Sequence, residues 1–148
     1  MAASCAAALR DANPDRNVRF SIAPGIRAQG DAGLLRAVLD NLLSNAWKFT
    51  AKSSGAAIEF YAETEGNELI CHVRDNGAGF DMAYVDHLFQ PFQRLHTASE
   101  YAGTGIGLAT VKRIIGRLGG QVSAHGAPNQ GARSPCSTAP IPASGNSL

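Results

Sequence analysis

No apolar run in the 148 residues approaches the roughly 18 that a membrane helix needs. Met1 to Leu9 is only weakly apolar and lacks the basic start of a signal peptide. Charge is scarce in either direction. The formal net charge is +1, which leaves no basic surplus for nucleic acid and no acidic tail. Cysteine is also scarce: Cys5, Cys71 and Cys136 lie far apart and form no C-x-x-C pair. A disulfide framework or zinc cluster is therefore not expected, and a reducing cytoplasm without direct membrane contact is the default setting. What remains is 45% hydrophobic and 17% charged, the composition of one globular domain.

Residues 1–14 read as the end of an alanine-rich helix, stopped by Asn13-Pro14, and are expected to be a stub of a preceding region or linker. Val18 to Ile22 alternates with period two, the mark of a half-buried strand closed by Pro24-Gly25. Asp31 is a candidate N-cap for a helix over Leu34 to Thr50. At about 100° per residue, Leu35, Val38, Leu39, Leu42, Ala46 and Phe49 share one face of it. Asn41, Asn45 and Lys48 line up beside that face, either as a polar shoulder or as a functional stripe. Trp47 falls off the apolar face, so it is expected to pack on a segment or partner outside this chain.

Ile58 to Tyr61 and Leu69 to Arg74, joined through Glu65-Gly66-Asn67, predict a hairpin. The second strand runs into Asp75-Asn76-Gly77-Ala78-Gly79-Phe80. Gly77 and Gly79 permit positive φ and close approach of a backbone or a ligand ring. Asp75 offers an acceptor-only side chain suited to an amino group such as that of adenine; a capped turn would explain the same residues. Phe89 and Phe92 flank Pro91, and Leu95 to Ala102 has no period and reads as a mobile loop. Gly103-Thr104-Gly105-Ile106-Gly107 then opens a helix from Leu108 to Leu118, with Lys112, Arg113 and Arg117 opposite its apolar face and Gly119-Gly120 ending it. A glycine loop at a helix start presents unpaired N–H groups and a positive dipole end, which suits phosphate, although such loops also serve packing alone. Gln121 to Ala124 reads as the last clear strand. Residues 126–148 hold four of the seven prolines and are expected to be an irregular, disordered tail after a domain spanning 15–125.

Taken in order, Asn41 to Thr50 closely resembles the N box of sensor histidine kinases, Asp75 to Phe80 their first glycine box, Phe89 to Phe92 their F box, and Gly103 to Leu108 their second glycine box. The N box and Phe92 to His96 are similar to kinases of the phytochrome and PAS-sensor type. The resemblance implies an α+β fold, a two-layer sandwich of a mixed, mostly antiparallel sheet on about three helices (the Bergerat ATP-binding fold). It implies Mg-ATP as ligand, with Asp75 accepting from the adenine amino group and Gly79 leaving room beside the ring. Asn45 would ligate Mg²⁺ through oxygen, and Asn41 and Lys48 would meet phosphate oxygens or waters. Gly77, Phe92, Arg94, Gly103, Thr104, Gly105, Ile106, Gly107 and Leu108 would complete the nucleotide pocket. The implied partners are a histidine-bearing dimerisation domain and a response regulator, within a homodimeric parent protein that could itself be anchored in a membrane.

Two departures stand out. None of His72, His87, His96 and His125 sits in the family's H-[ED] phosphoacceptor context, so the acceptor is expected elsewhere. The family closes with an alternating strand after a Gly-Ala pair; here Gly131-Ala132 is followed by Arg133-Ser134-Pro135-Cys136, and that strand is expected to be missing. A serine kinase or anti-sigma switch of the same fold, and a module that binds nucleotide without turnover, are the alternatives.

Overall fold

The structure, a computed structural model, describes residues 1–28, 30–66, 68–83, 89, 107–138 and 146–148. Three helices, α1 (Ala2–Ala12), α2 (Ala32–Phe49) and α3 (Gly107–Arg117), form one layer. The other layer is a five-stranded sheet of β1 (Arg19–Ile22), β3 (Ala57–Glu65), β4 (Glu68–Asp75), β5 (His125–Gly126) and β6 (Ala132–Thr138), in the order β1-β3-β4-β6-β5. Among the described residues only β1 and β3 pair in parallel; the other ladders are antiparallel. A separate short pair joins β2 (Arg27–Ala28) to β7 (Asn146–Ser147). The expected α+β sandwich is therefore what this sequence forms.

The helix α2 organises the layers. Asp31 caps it, its carboxylate accepting from the Leu34 N–H at 3.0 Å, which satisfies one of the four amides a helix start leaves unpaired. Leu35, Val38, Leu39, Leu42 and Ala46 are buried against the sheet, where Ile58, Phe60, Cys71 and Val73 face them with the period of two that a strand imposes. Leu43 and Trp47 widen the buried stripe beyond the expected face. Trp47 corrects the expectation of an outside partner. It is only 6% exposed, stacks on Phe20 of β1 with centroids 5.9 Å apart, and lies beneath the guanidinium of Arg16 at 4.3 Å. On the same side α1 buries Ala2, Cys5 and Ala6 against the core, so this helix packs into the layer.

Helix α3 follows its predicted pattern, with Val111, Ile114 and Ile115 buried and Lys112, Arg113 and Arg117 exposed. It ends in a Schellman motif: Gly119, at φ +79°, donates to the Gly116 carbonyl, and Gly120 donates to that of Ile115.

The tail departs most from expectation. Residues 132–138 are not irregular; they form β6, a full partner of β4 from Leu69↔Thr138 to Asp75↔Ala132. Pro135 is tolerated because of register. The Ser123 N–H donates to the Pro135 carbonyl and the Ser137 N–H to that of Gln121, so residues 135 and 137 turn their backbone groups away from β4. The N–H that proline lacks is thus absent only from the weaker flank, where pairing shrinks to a single Val122↔Cys136 bridge. The expected strand over Gln121 to Ala124 is correspondingly reduced to that bridge, with β5 beginning at His125. Residues 139–145 lie outside the described set.

Candidate functional site

Asp75 ends β4, between Ile58 of β3 and Ala132 of β6. Strand alternation puts it on the same face as Cys71 and Val73, toward the helices. Its carboxylate accepts the Gly77 N–H at 2.8 Å, and a backbone hydrogen bond from Ala132 also favours the ionised form. Burial outweighs both and pushes the carboxyl up to about 6. An anionic acceptor is thus held half-desolvated at the edge of the core.

The loop after it is stitched to its surroundings on two sides. Ala78 donates to the Phe49 carbonyl at the C-terminus of α2, 2.9 Å away, while Asn129 donates to Ala78 and Gly131 to Gly77. Asn76 closes a third side, its side chain accepting from Ala57 N–H at 2.9 Å and donating to the Gly55 carbonyl at 3.0 Å. The glycines are explained by this stitching. A Cβ on Gly77 would lie 2.2 Å from the Phe49 oxygen, and one on Gly79, at φ +63°, would lie 1.9 Å from that of Ala127. Of the two approaches the sequence left open at position 79, a backbone or a ligand ring, the one present here is by protein backbone.

On α2, Asn41, Asn45 and Lys48 are all half-buried. The Asn41 amide nitrogen donates to the Ala37 carbonyl of its own helix at 2.7 Å, which leaves its oxygen as the group to offer a ligand. Counting about 100° per residue, this polar flank lies roughly 140° around the helix from Arg36, Asp40, Leu43 and Trp47, the side that α1 and β1 cover. The stripe is not masked by α1. The structure thus brings Asn41, Asn45 and Lys48 onto one helix, and ties that helix's last turn directly to the loop of Asp75, Gly77 and Gly79.

Gly107 opens α3, followed by a half-buried Leu108, while Phe89 is a half-buried turn residue. Phe92, Arg94, Gly103, Thr104, Gly105 and Ile106 lie outside the described residues. Residues that the sequence did not flag are Asn76, Asn129 with its positive φ of 60°, and Arg16, which lies between α1 and β1 and whose side chain bonds the end of α2. Asn129 follows Pro128 in a turn and could have been suspected; the other two act through long-range backbone contacts with no local signal.

Residues 30–142 match the family described as histidine kinase-, DNA gyrase B-, and HSP90-like ATPases. The chain belongs to this family. Among curated relatives, this ATPase-family domain is 41% identical over 106 residues to cyanobacterial phytochrome A of Nostoc sp., covering 72% of this chain and 14% of that protein. It is 33% identical over 129 residues to the phosphate regulon sensor protein PhoR of Pseudomonas aeruginosa, covering 84% and 29%. The domain therefore spans less than a third of the curated relatives it matches, which are sensor histidine kinases and phytochromes. Among solved structures, the mycobacterial sensor histidine kinase MprB superposes with a TM-score of 0.77 at 21% identity, covering 95% of this chain and 94% of that one. Full-length ShkA in complex with AMPPNP gives 0.76 at 26% identity, covering 96% and 30%. The sequence resemblance to sensor kinases, phytochromes included, is thus matched by relatives and by fold. No helix among the described residues is long and apolar enough to cross a membrane.

Proposed function

We propose that this chain is the ATP-binding catalytic domain of a two-component sensor histidine kinase, and that it positions Mg-ATP for transfer of the γ-phosphate to a histidine on a separate dimerisation domain. The observation that carries the reading is the half-buried Asp75 carboxylate, anchored by Gly77 and facing the helix layer. A carboxylate so placed can only accept, and the exocyclic amino group of adenine can supply the donor. Asn41 and Lys48 serve the phosphates from α2, the amide oxygen of one through water and the ammonium of the other directly. Gly103 to Leu108, which lead in sequence into α3, would add backbone N–H groups and the positive helix end. Phe92 and Arg94 complete the pocket from the intervening segment.

Among the described residues no group of three His, Cys, Asp or Glu side chains could hold a metal. A single amide oxygen, that of Asn45, suits Mg²⁺, which keeps most of its waters and shares phosphate oxygens. The ion would neutralise phosphate charge, and the protein's own contribution is positioning. The response regulator, the homodimeric parent and a cytoplasmic setting belong to the same proposal.

Titration with ADP and a non-hydrolysable ATP analogue, with and without Mg²⁺, tests the binding half. Micromolar to sub-millimolar affinity that disappears in Asp75→Asn is expected; a folded wild type that binds neither nucleotide would refute it. Supplying a helical hairpin with an acceptor histidine and labelled ATP tests transfer. Tight binding with no labelled histidine would favour the binding-only alternative, and label on serine the switch-kinase one.

A further inference from the structure

We infer that Arg16 is a positioning residue for the nucleotide site, fixing from outside it both the last turn of α2 and the loop that carries Asp75. The inference rests on the nucleotide-binding reading above. A helix leaves its last four carbonyls without helical partners. In α2 each of these has found one: the Lys48 oxygen takes the Ala51 N–H, that of Phe49 takes Ala78, and that of the C-cap Thr50 takes Ser53. The Trp47 carbonyl is served by Arg16, whose Nη1 donates to it at 2.6 Å. The Thr50 hydroxyl reinforces the arrangement, its single O–H shared between the Ala46 and Trp47 carbonyls while its oxygen accepts from Arg16 Nη2 at 3.2 Å.

Arg16 therefore acts as a C-cap contributed from 31 residues upstream. The guanidinium cannot shift freely, because it is stacked over the Trp47 ring at 4.3 Å, and Trp47 is in turn stacked on Phe20. A fixed cation at this end also complements the negative pole of the helix. Two consequences reach the site. Lys48 sits inside the capped turn, between the carbonyl that Arg16 holds and the one that holds Ala78. The Ala78 N–H is bonded to the Phe49 oxygen, and the space between that oxygen and Gly77 is too small for even a Cβ, so the loop is tied to the position of the Phe49 carbonyl. A contiguous set of bonds thus runs from Arg16 through Trp47, Thr50 and Phe49 to Ala78 and Asp75. Fraying of the turn loosens phosphate and adenine contacts together.

The test compares wild type, Arg16→Met, which keeps the packing stem but no donor, and Arg16→Lys, which keeps charge but not the fork. Amide hydrogen exchange is read at Ala78 and at Cys71 as a control inside the β4–β6 ladder, alongside ADP affinity. Loss of a charged hydrogen bond predicts Ala78 exchange about tenfold faster in Arg16→Met with Cys71 unchanged, and ADP binding weakened by a similar factor. Ala78 exchange that stays at the wild-type rate, or rises only in step with Cys71, overturns the inference. If Arg16→Met does not fold, Arg16→Lys decides by the same criterion. A wild type that fails to bind ADP would sink the nucleotide reading, yet the exchange rates would still decide whether Arg16 holds the loop.

Discussion

Replacing Asp75 by asparagine should make the ligand-free protein more stable at neutral pH while removing its nucleotide binding. Raising the carboxyl from 3.8 to about 6 means that ionisation costs the folded state at most about 3 kcal/mol more than the unfolded chain. The folded value lies above the unfolded one, so the folded protein binds the extra proton between them. Stability from this group is complete below pH 3.8, declines as pH rises toward 6 and stays low above it. Asparagine does not ionise and escapes that loss. It can point its oxygen at Gly77, but it cannot accept with both terminal atoms, which returns about 1 kcal/mol. The expected net gain at pH 7 is about 1–2 kcal/mol, or roughly 2–8 °C in Tm for a domain of this size. At pH 4 the gain should vanish or reverse. Calorimetric melting of both proteins from pH 4 to pH 8 measures the difference directly. A difference that is flat with pH, or that turns against asparagine as pH rises, would refute the burial of an ionised carboxylate at this position.

Gly79→Ala should be severely destabilising: the left-handed backbone costs about 1–2 kcal/mol and the collision with the Ala127 carbonyl a further 1–3, read as a lowered denaturant midpoint. His72 carries the opposite pH signature to Asp75. It is 5% exposed and stacked on Tyr61, and its ring nitrogens lack hydrogen-bond partners among the described residues; Glu63 lies 3.9 Å away, too far to bond. Burial lowers its pKa, helped by Arg133 and His125 and opposed by Glu63. Its stability contribution is therefore full above pH 6.5 and is lost as pH falls through the lowered value. His72→Phe should remove that part of the acid sensitivity; an unchanged acid limb in a melting series would count against it.

Much of the architecture was legible because it is written in local pattern. The Asp31 cap, the apolar stripe of α2, the hairpin around Gly66 and the glycine stop of α3 all follow from spacing and residue type, and each is found where the pattern put it. The tail was misread for the complementary reason. Composition marks Pro135 as a breaker, but whether proline breaks a ladder depends on which neighbour its missing N–H would have faced, and that is fixed only by the register with β4. Trp47 was misread because a helical wheel reports one element alone, and the ring is buried by Phe20 and Arg16 from another. At the site, residue types pointed correctly to a loop needing close approach. They could not tell that Phe49 and Ala127 make that approach, since both contacts join chain segments far apart in sequence.

The order of strands in the sheet also governs how the protein can be made. β6 separates β4 from β5, yet it leaves the ribosome some 60 residues after β4 has ended. At roughly 5–20 residues per second, β4 waits about 3–12 s with one flank bare. During that interval the nascent chain presents an open hydrogen-bonding edge beside Leu69, Cys71 and Val73, the kind of edge that recruits strands from other chains. A premature stop between residues 75 and 132 would make the condition permanent, so such fragments should accumulate as aggregates instead of shortened soluble domains.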